Sequence, residues 1–293
     1  MDSSAFSCIF SPGWEQKYIP RWLDEDIPSF DVGAAVVGDQ IKSAKLNCKS
    51  EKIVIAGLPI VEAIFRYLGC IVTIDVAEGT LVEKTQVIAR VQGPVYRLLQ
   101  GERVSLNILS RLSGIATDSR RYSTALSAAG QHTKVAGTRK TTPGLRMFEK
   151  YALIVGGADP HRYDLSSCVM LKDNHIDAMG GDIAEAVRRA KQIAGFTVKV
   201  EVECRSLSDA RVAAYSGADI VMLDNFKADS AHETAQIIKT EFPSVIVEVS
   251  GGIGSLEHLL AYAGPHIDIV SMGSLTHSHS TVDFSLKICD NVL

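Results

Sequence analysis

"TVKVEVECRSLSDARVAAYSGADIVMLDN", residues 197 to 225, decides how the second half of this chain folds. Its first eight residues alternate β-branched apolar and charged side chains, the pattern of a strand with two different faces. Ser206 then opens a segment with apolar residues at helical spacing, as an N-cap residue would. A second apolar run follows, "DIVMLDN" (219–225), and ends on an acid and an amide. Strand, helix and strand joined by short connections make a parallel unit with a right-handed crossover.

The same rhythm extends in both directions. β-type runs recur at "TKVAGT" (133–138), "CVMLKD" (168–173), "SVIVEVS" (244–250) and "IDIVSMG" (267–273), with amphipathic stretches such as "DIAEAVRRAKQIA" between them. With the opening pair, that is six parallel strands, hence an α/β barrel or a doubly wound sheet. No GxGxxG follows the first of them, which weighs against the dinucleotide-binding version. Residues 1 to 112 read differently. "KIVIAG", "CIVTIDVAEGTLV" and "QVIARVQGP" are β-rich and surround the helix-like "PIVEAIFRYLG", an α+β pattern in which Glu78 and Gly79 mark a turn. Pro94 opens a helical region, broken near Gly101, and "VDFSLKI" (282–288) is a further β-type run that can return to the N-terminal domain. The expected division is therefore 1–112 with 280–293, and 113–279.

Composition narrows the class. With 293 residues, 46% hydrophobic and 22% charged, the chain can bury a full core. Its six cysteines have no CxxC or Cys/His ligand spacing, which points to reduced thiols in the cytoplasm and away from zinc. No apolar run approaches the roughly 20 residues that span a bilayer. A net charge of −4 argues against nucleic acid as a partner. That average hides an asymmetry: from Arg97 to Lys150 there are ten Lys and Arg against three Asp and Glu, so the rest of the chain carries −11. A positive segment in an acidic chain suits a small polyanion held in one place, although Arg111, Arg120 and Arg121 read as a solvated helix face.

Unusual polar residues fall at the carboxyl end of each of the six strands: Arg139 and Lys140, Lys172, Glu203, Asp224, Ser250 with Gly251 and Gly252, and Gly273. Taken singly, each has a structural explanation as a strand end, an ion pair or a turn. Six of six point to the rim where barrel sites are built. "SGGIGS" and "SMGS" follow adjacent late strands and offer backbone N–H groups of the kind that bind phosphate. Arg139, Lys140, Arg162, Lys172 and His161 supply more positive charge than one monophosphate needs, so the ligands include a phosphate, a second anionic group and a carboxylate. Glu203 and Asp224 then face a metal, a hydroxyl or a developing cation. Glu201 lies two residues before Glu203 on the same face as Lys199, as a supporting partner.

Together "GERVSLNILSRLSGIAT", "TRKTTPGLRMFEKYALIVGG", "HRYDLSSCVMLKDNHI", "VEVE", "MLDNF", "VSGGI" and "DIVSMG" resemble the quinolinate phosphoribosyltransferase family, in its order and spacing from about residue 15 onward. The resemblance implies an N-terminal open α/β sandwich and a C-terminal α/β barrel with fewer than eight strands. It implies transfer of phosphoribose from 5-phosphoribosyl 1-diphosphate to quinolinate with loss of CO₂ and with Mg²⁺, in NAD biosynthesis. Arg139, Lys140, His161, Arg162 and Lys172 would contact the quinolinate carboxylates or the phosphoribosyl donor, with Lys140, Lys172, Glu203 and Asp224 nearest the chemistry. Glu203 and Asp224 would serve the ribose and the metal-diphosphate. Ser250, Gly251, Gly252 and Gly273 would form the phosphate loops. Arg103 would come from a neighbouring subunit, making the protein a homodimer with shared sites, or a hexamer built as a trimer of dimers. Val249 stands where relatives often have a small residue. Two rival readings are a nicotinate-type phosphoribosyltransferase and a Schiff-base lyase using Lys172.

Overall fold

The computed structural model describes residues 8–289 and separates into two compact units, one taking in the chain up to Asp118 and from His279 onward, the other Ser119–Ser278. The first unit begins with helices α1 (Trp14–Asp26) and α2 (Val32–Val37), then β1 (Ile41–Cys48), β2 (Ile53–Val54), α3 (Leu58–Tyr67), β3 (Ile71–Ile74), β4 (Leu81–Val82) and β5 (Val87–Pro94). Helix α4 (Val95–Ala128) follows directly and contains the division at 118/119. It is one uninterrupted helix of 34 residues, without the break expected near Gly101. Gly101 has a packing role: a Cβ there would lie 2.6 Å from Phe65 Cε1 and 2.9 Å from Leu68 Cδ1, so glycine lets α3 come close. Glu78 and Gly79 form the expected turn between β3 and β4, closed by the Thr80 N–H on the Ala77 carbonyl at 3.1 Å, and Glu78 has a second role. It is buried, and its two carboxylate oxygens accept the N–H groups of Gly57 (2.5 Å) and Leu58 (3.0 Å) at the start of α3, orphan donors that no intrahelical carbonyl can reach.

The second unit runs β6 (Lys134–Ala136), α5 (Arg146–Gly156), β7 (Val169–Leu171), α6 (Asp173–Ala178), α7 (Ile183–Ala194), β8 (Val200–Cys204), α8 (Leu207–Tyr215), β9 (Ile220–Asp224), α9 (Ala228–Glu241), β10 (Ile246–Ser250), α10 (Leu256–Tyr262), β11 (Ile269–Ser271) and α11 (Ser274–His277). Every strand lies inside a run read from sequence, and Ser206 caps α8 by accepting the Asp209 N–H. The chain then returns as β12 (Phe284–Cys289), antiparallel to β1 in the first unit's sheet, whose order is β12-β1-β5-β3. Strand β1, "IKSAKLNC", is not among the expected strands. Arg120 is no mere solvated residue: its guanidinium donates to the Gly156 and Val155 carbonyls at the end of α5.

All strand pairs in the second unit are parallel, in the order β6-β11-β10-β9-β8-β7. A doubly wound sheet reverses direction at a switch point. Here the order advances one way and the first strand pairs with the last, the circular order of a barrel, left open between β6 and β7. Register separates two faces. Val200, Val202, Cys204, Val221, Leu223, Val247, Val249 and Val270 share one, each at most 1% exposed. Burying that face at about 25 cal/mol per Å² holds the helices on the outside. Val249 thus belongs to the packing layer, away from the site. The other face carries Met170, Glu201, Glu203, Met222, Asp224, Glu248, Ser250 and Ser271, an unusually polar set for a barrel interior.

Candidate active site

This inner face opens into a cavity of about 440 Å³ at the carboxyl ends of the strands, lined among others by Arg139, Lys140, His161, Arg162, Lys172, Glu203, Asp224, Ser250, Gly251 and Gly252. A second hollow of about 390 Å³ shares Thr138, Lys140, Ser250, Gly251, Gly252 and Ser271 with it and adds Gly273, Ser274 and His277. Eleven of the twelve residues singled out from sequence line one or both hollows. The twelfth, Arg103, stands exposed on α4 in the first unit, and the lining comes wholly from the second.

Each cation is held by local geometry. Lys172 ends β7 just before α6, and its Nζ lies 2.6 Å from Glu203 Oε2 on the neighbouring strand. A nitrogen poised to form an imine would have to give up that carboxylate. Arg162 donates to the Cys168 carbonyl (3.1 Å) and to Met170 Sδ (3.4 Å), which pins its guanidinium against β7. Arg139 Nε is buried and has no partner among the described residues. Burial, with Arg162 and Arg146 beside it, lowers the proton affinity of Arg139 below that of an ordinary arginine. Unmet donors and crowded positive charge favour an anionic ligand.

His161 sits at φ 57, in the left-handed region uncommon for a residue with a Cβ. Asp159 Oδ1 accepts its backbone N–H at 2.7 Å, and its ring Nδ1 accepts the Arg162 N–H at 2.7 Å. That leaves Nε2 facing Glu248, 3.1 and 3.2 Å from the two oxygens, with Glu201 at 4.0 Å. Burial opposes a charged imidazole here, but the Glu248 hydrogen bond and the charges of Glu248 and Glu201 outweigh it and raise the histidine's proton affinity. Glu201 is fully buried, and its Oε1, the oxygen 4.0 Å from His161 Nε2, accepts no hydrogen bond among the described residues. Burial and the adjacent Glu248 push its carboxyl up to about 8. Lys199, expected to pair with it, is exposed at the foot of the strand.

On the opposite side, Glu203 and Asp224 end adjacent strands on the inner face. Burial and then the Glu203 charge raise the Asp224 carboxyl above its ordinary range. An all-oxygen pair of this kind suits a hard divalent cation, whose charge would relieve the repulsion. The donor atoms of His161, Glu201 and Glu248 also lie within 4.8 Å of one another, close enough to share an ion or a proton. Gly251 is at φ +103, and a Cβ on it would lie 2.3 Å from Asn225 Oδ1. Asn225 is itself at φ 59 and donates to Asp224 Oδ2 at 2.6 Å, so the glycine permits the corner that aims Asp224. Thr276 Oγ1 donates to the Lys140 carbonyl at 2.7 Å and ties the first strand's loop to α11.

Sequence reading did not single out Glu248, Asn225, Ser271 or His277, all of which line the hollows. Glu248 carried a usable signal. It precedes Ser250 by two residues, as Glu201 precedes Glu203, so the period of two already put it on the site's face.

Models of the quinolinate phosphoribosyl transferase N-terminal and C-terminal domains match residues 31–113 and 115–287. The chain is 49% identical over 288 residues to nicotinate-nucleotide pyrophosphorylase [carboxylating] of Homo sapiens, covering 98% of this chain and 96% of that protein. It is 46% identical to the protein of the same name from Rattus norvegicus, over 98% and 95% of the two chains. Among solved structures, a NadC deletion mutant in a cubic space group superimposes with a TM-score of 0.89 at 37% identity, covering 97% of this chain and 99% of the other.

Proposed function

The chain belongs to the quinolinate phosphoribosyltransferase family, and we propose that it transfers the 5-phosphoribosyl group of 5-phosphoribosyl 1-diphosphate to quinolinate, releasing diphosphate and CO₂ and forming nicotinate mononucleotide. The observation that carries this reading is the convergence of Arg139, Lys140, His161, Arg162 and Lys172 on one cavity opposite Glu203 and Asp224. Quinolinate brings two carboxylates and its partner a phosphate and a diphosphate. Five basic groups in one hollow of this size suit that load and exceed the needs of a monocarboxylate such as nicotinate.

Orientation and charge stabilisation supply the catalysis. Arg139 and Arg162 hold the pyridine carboxylates in two-point contacts, which sets the ring nitrogen against C1 of the ribose. Diphosphate departs from C1 while Lys140 and Lys172 stabilise the charge that builds on it. The loops of Ser250, Gly251, Gly252 and Gly273 hold the 5-phosphate through backbone N–H groups. Once ribosylated, the ring nitrogen is cationic and stabilises the carbanion left on the neighbouring ring carbon as its carboxylate leaves as CO₂, and a proton from water then takes the carboxylate's place to give nicotinate mononucleotide. Glu203 and Asp224 are the residues that would hold Mg²⁺, which when bound offsets the negative charge of the diphosphate. The reading includes a homodimer in which Arg103 serves its partner's cavity. Its exposure on α4 supports that assignment.

The test is release of labelled CO₂ from carboxyl-labelled quinolinate in the presence of phosphoribosyl diphosphate and Mg²⁺. Turnover of nicotinate at a comparable rate, or no turnover of quinolinate, overturns the reading.

A further inference from the structure

The two loops that carry the cavity's cations flank helix α5, and two consecutive buried residues of that helix hold them. Glu149 is 0% exposed and Lys150 3%. Glu149 accepts the backbone N–H of Thr142 on both carboxylate oxygens (3.4 and 3.2 Å), anchoring the loop of Arg139 and Lys140. Lys150 Nζ donates to the carbonyl of Pro160, the residue before His161 and Arg162. Adjacent helical residues diverge by about 100°, so one dipeptide can grip loops on two sides. Lys150 does not line the cavity. Lys150 has no carboxylate in direct contact among the described residues, and a buried lysine so placed is costly in a fold unless the charge is used.

We propose that Lys150 is a positioning residue: its protonated amine latches the loop bearing His161 and Arg162 and couples anion binding in the cavity to uptake of a proton.

Three observations carry this. The loop it holds is strained, because His161 is at φ 57, and such a conformation costs on the order of 1–3 kcal/mol and persists only where surrounding contacts over-determine it. The Lys150 hydrogen bond, Asp159 Oδ1 on the His161 N–H, and Glu248 on the imidazole are those contacts. Second, the groups acting on Lys150 are mostly positive. Asp159 favours its charge, whereas Arg146 on its own helix and Arg139 and Arg162 from the two loops oppose it, and His161 is affected by the Lys150 charge in turn. Third, burial first and those arginines next bring the amine down to about 8, so its charge is sensitive to what enters the cavity.

The sign follows from linkage. An anion beside Arg139 and Arg162 offsets their repulsion and raises the proton affinity of Lys150. By reciprocity, a protonated Lys150 tightens the anion. Below about pH 7 the amine is already charged and binding takes up no proton through it. As pH rises through about 8 the proton must be acquired on binding, and affinity falls by at most about tenfold per pH unit for one linked proton.

The inference rests on the proposed quinolinate site, so quinolinate is the probe. Binding to the full-length protein is measured by titration calorimetry from pH 6.5 to 9.5, in buffers of different ionisation enthalpy that report proton uptake. Wild-type protein is expected to show a component of uptake that appears above pH 7.5 and is greatest between pH 8 and 9.5, with weakening affinity. Lys150→Arg keeps a charge that does not titrate in this range. It should bind within about threefold of wild type at pH 7 and lose both the high-pH uptake and the fall in affinity. Lys150→Met should bind at least about tenfold more weakly at pH 7, a coupling of ordinary size. A purely structural lysine would not give an arginine variant with wild-type affinity and a flattened pH profile. Unchanged high-pH uptake in Lys150→Arg, or wild-type affinity in Lys150→Met, overturns the inference and leaves the quinolinate reading standing. Wild-type protein that binds no quinolinate overturns both.

Discussion

Replacing Lys172 with alanine separates a ligand-binding charge from a merely stabilising one. Its Nζ is 2.6 Å from Glu203 Oε2, with the lysine side chain 45% exposed and the glutamate 9%. Because the lysine is nearly half in water, solvent screening limits the pair's contribution to folding to about 1 kcal/mol. For a domain of this size that corresponds to about 2–4 °C in Tm. Against bound diphosphate and carboxylate the same charge is desolvated, and truncating one partner of such a contact costs about 2–5 kcal/mol. At 1.36 kcal/mol per decade, kcat/KM should fall between about 30-fold and 5,000-fold. Arg121→Ala is the control: its guanidinium lies 4.7 Å from the Tyr122 ring centroid, on a residue exposed to solvent and outside the cavity lining. It should cost less than about fivefold. The assay is initial-rate CO₂ release beside calorimetric Tm for each variant. Losses equal within threefold for Lys172→Ala and Arg121→Ala, or a loss in Lys172→Ala that tracks a collapse of Tm, would refute the argument.

Three further outcomes test other parts of the site. Asp224→Asn should raise the Mg²⁺ concentration needed for half-maximal rate by at least about tenfold, a loss comparable to removing one partner of a charge-assisted contact. Since the Asp224 carboxyl is raised by burial and by Glu203, wild-type Mg²⁺ affinity should already weaken as pH falls toward that carboxyl's range, above the 3.8 of a free aspartate, and an affinity flat from pH 7 to pH 4 would contradict the pairing. Gly251→Ala places a Cβ 2.3 Å from Asn225 Oδ1 at φ +103; it should cost about 1–3 kcal/mol in stability and most of the activity, and a crystal structure with the Asp224 corner unmoved would sink the assignment. For the shared site, Arg103→Ala and Lys172→Ala proteins should each be nearly inactive yet regain activity when mixed and allowed to exchange, because a two-fold mixed dimer contains one intact site. Exchange confirmed by mass without recovered activity would place Arg103 outside the partner's site.

Much of the second unit is legible in the linear chain. Its six strands stand out as short β-type runs between helical stretches, and their carboxyl ends hold residues that a core has no use for, so local pattern alone names Arg139, Lys172, Glu203, Asp224 and Gly251. Chain-local signals also locate the Ser206 cap and the returning strand β12. The same signals misjudge Gly101: glycine reads as a helix breaker, whereas here it accommodates Phe65 from another helix. They place Glu78 correctly in a turn but do not show that its carboxylate closes the start of α3, twenty residues earlier in the chain.

Whatever depends on near neighbours is written in the order of residues: alternation, capping, the residue type that ends each strand, and motifs dense enough to place the chain in a family. Which charges share a space of low dielectric was settled by folding alone. Glu201 and Glu248 are 47 positions apart, yet both face one imidazole, and the "EK" of α5 looks like any solvated helical pair until its two side chains are found gripping opposite loops. Electrostatic energy varies inversely with distance and with local polarizability. Both are set by how strands and helices far apart in the chain come together, so a linear pattern can name the charged groups while their partners and proton affinities emerge only on folding.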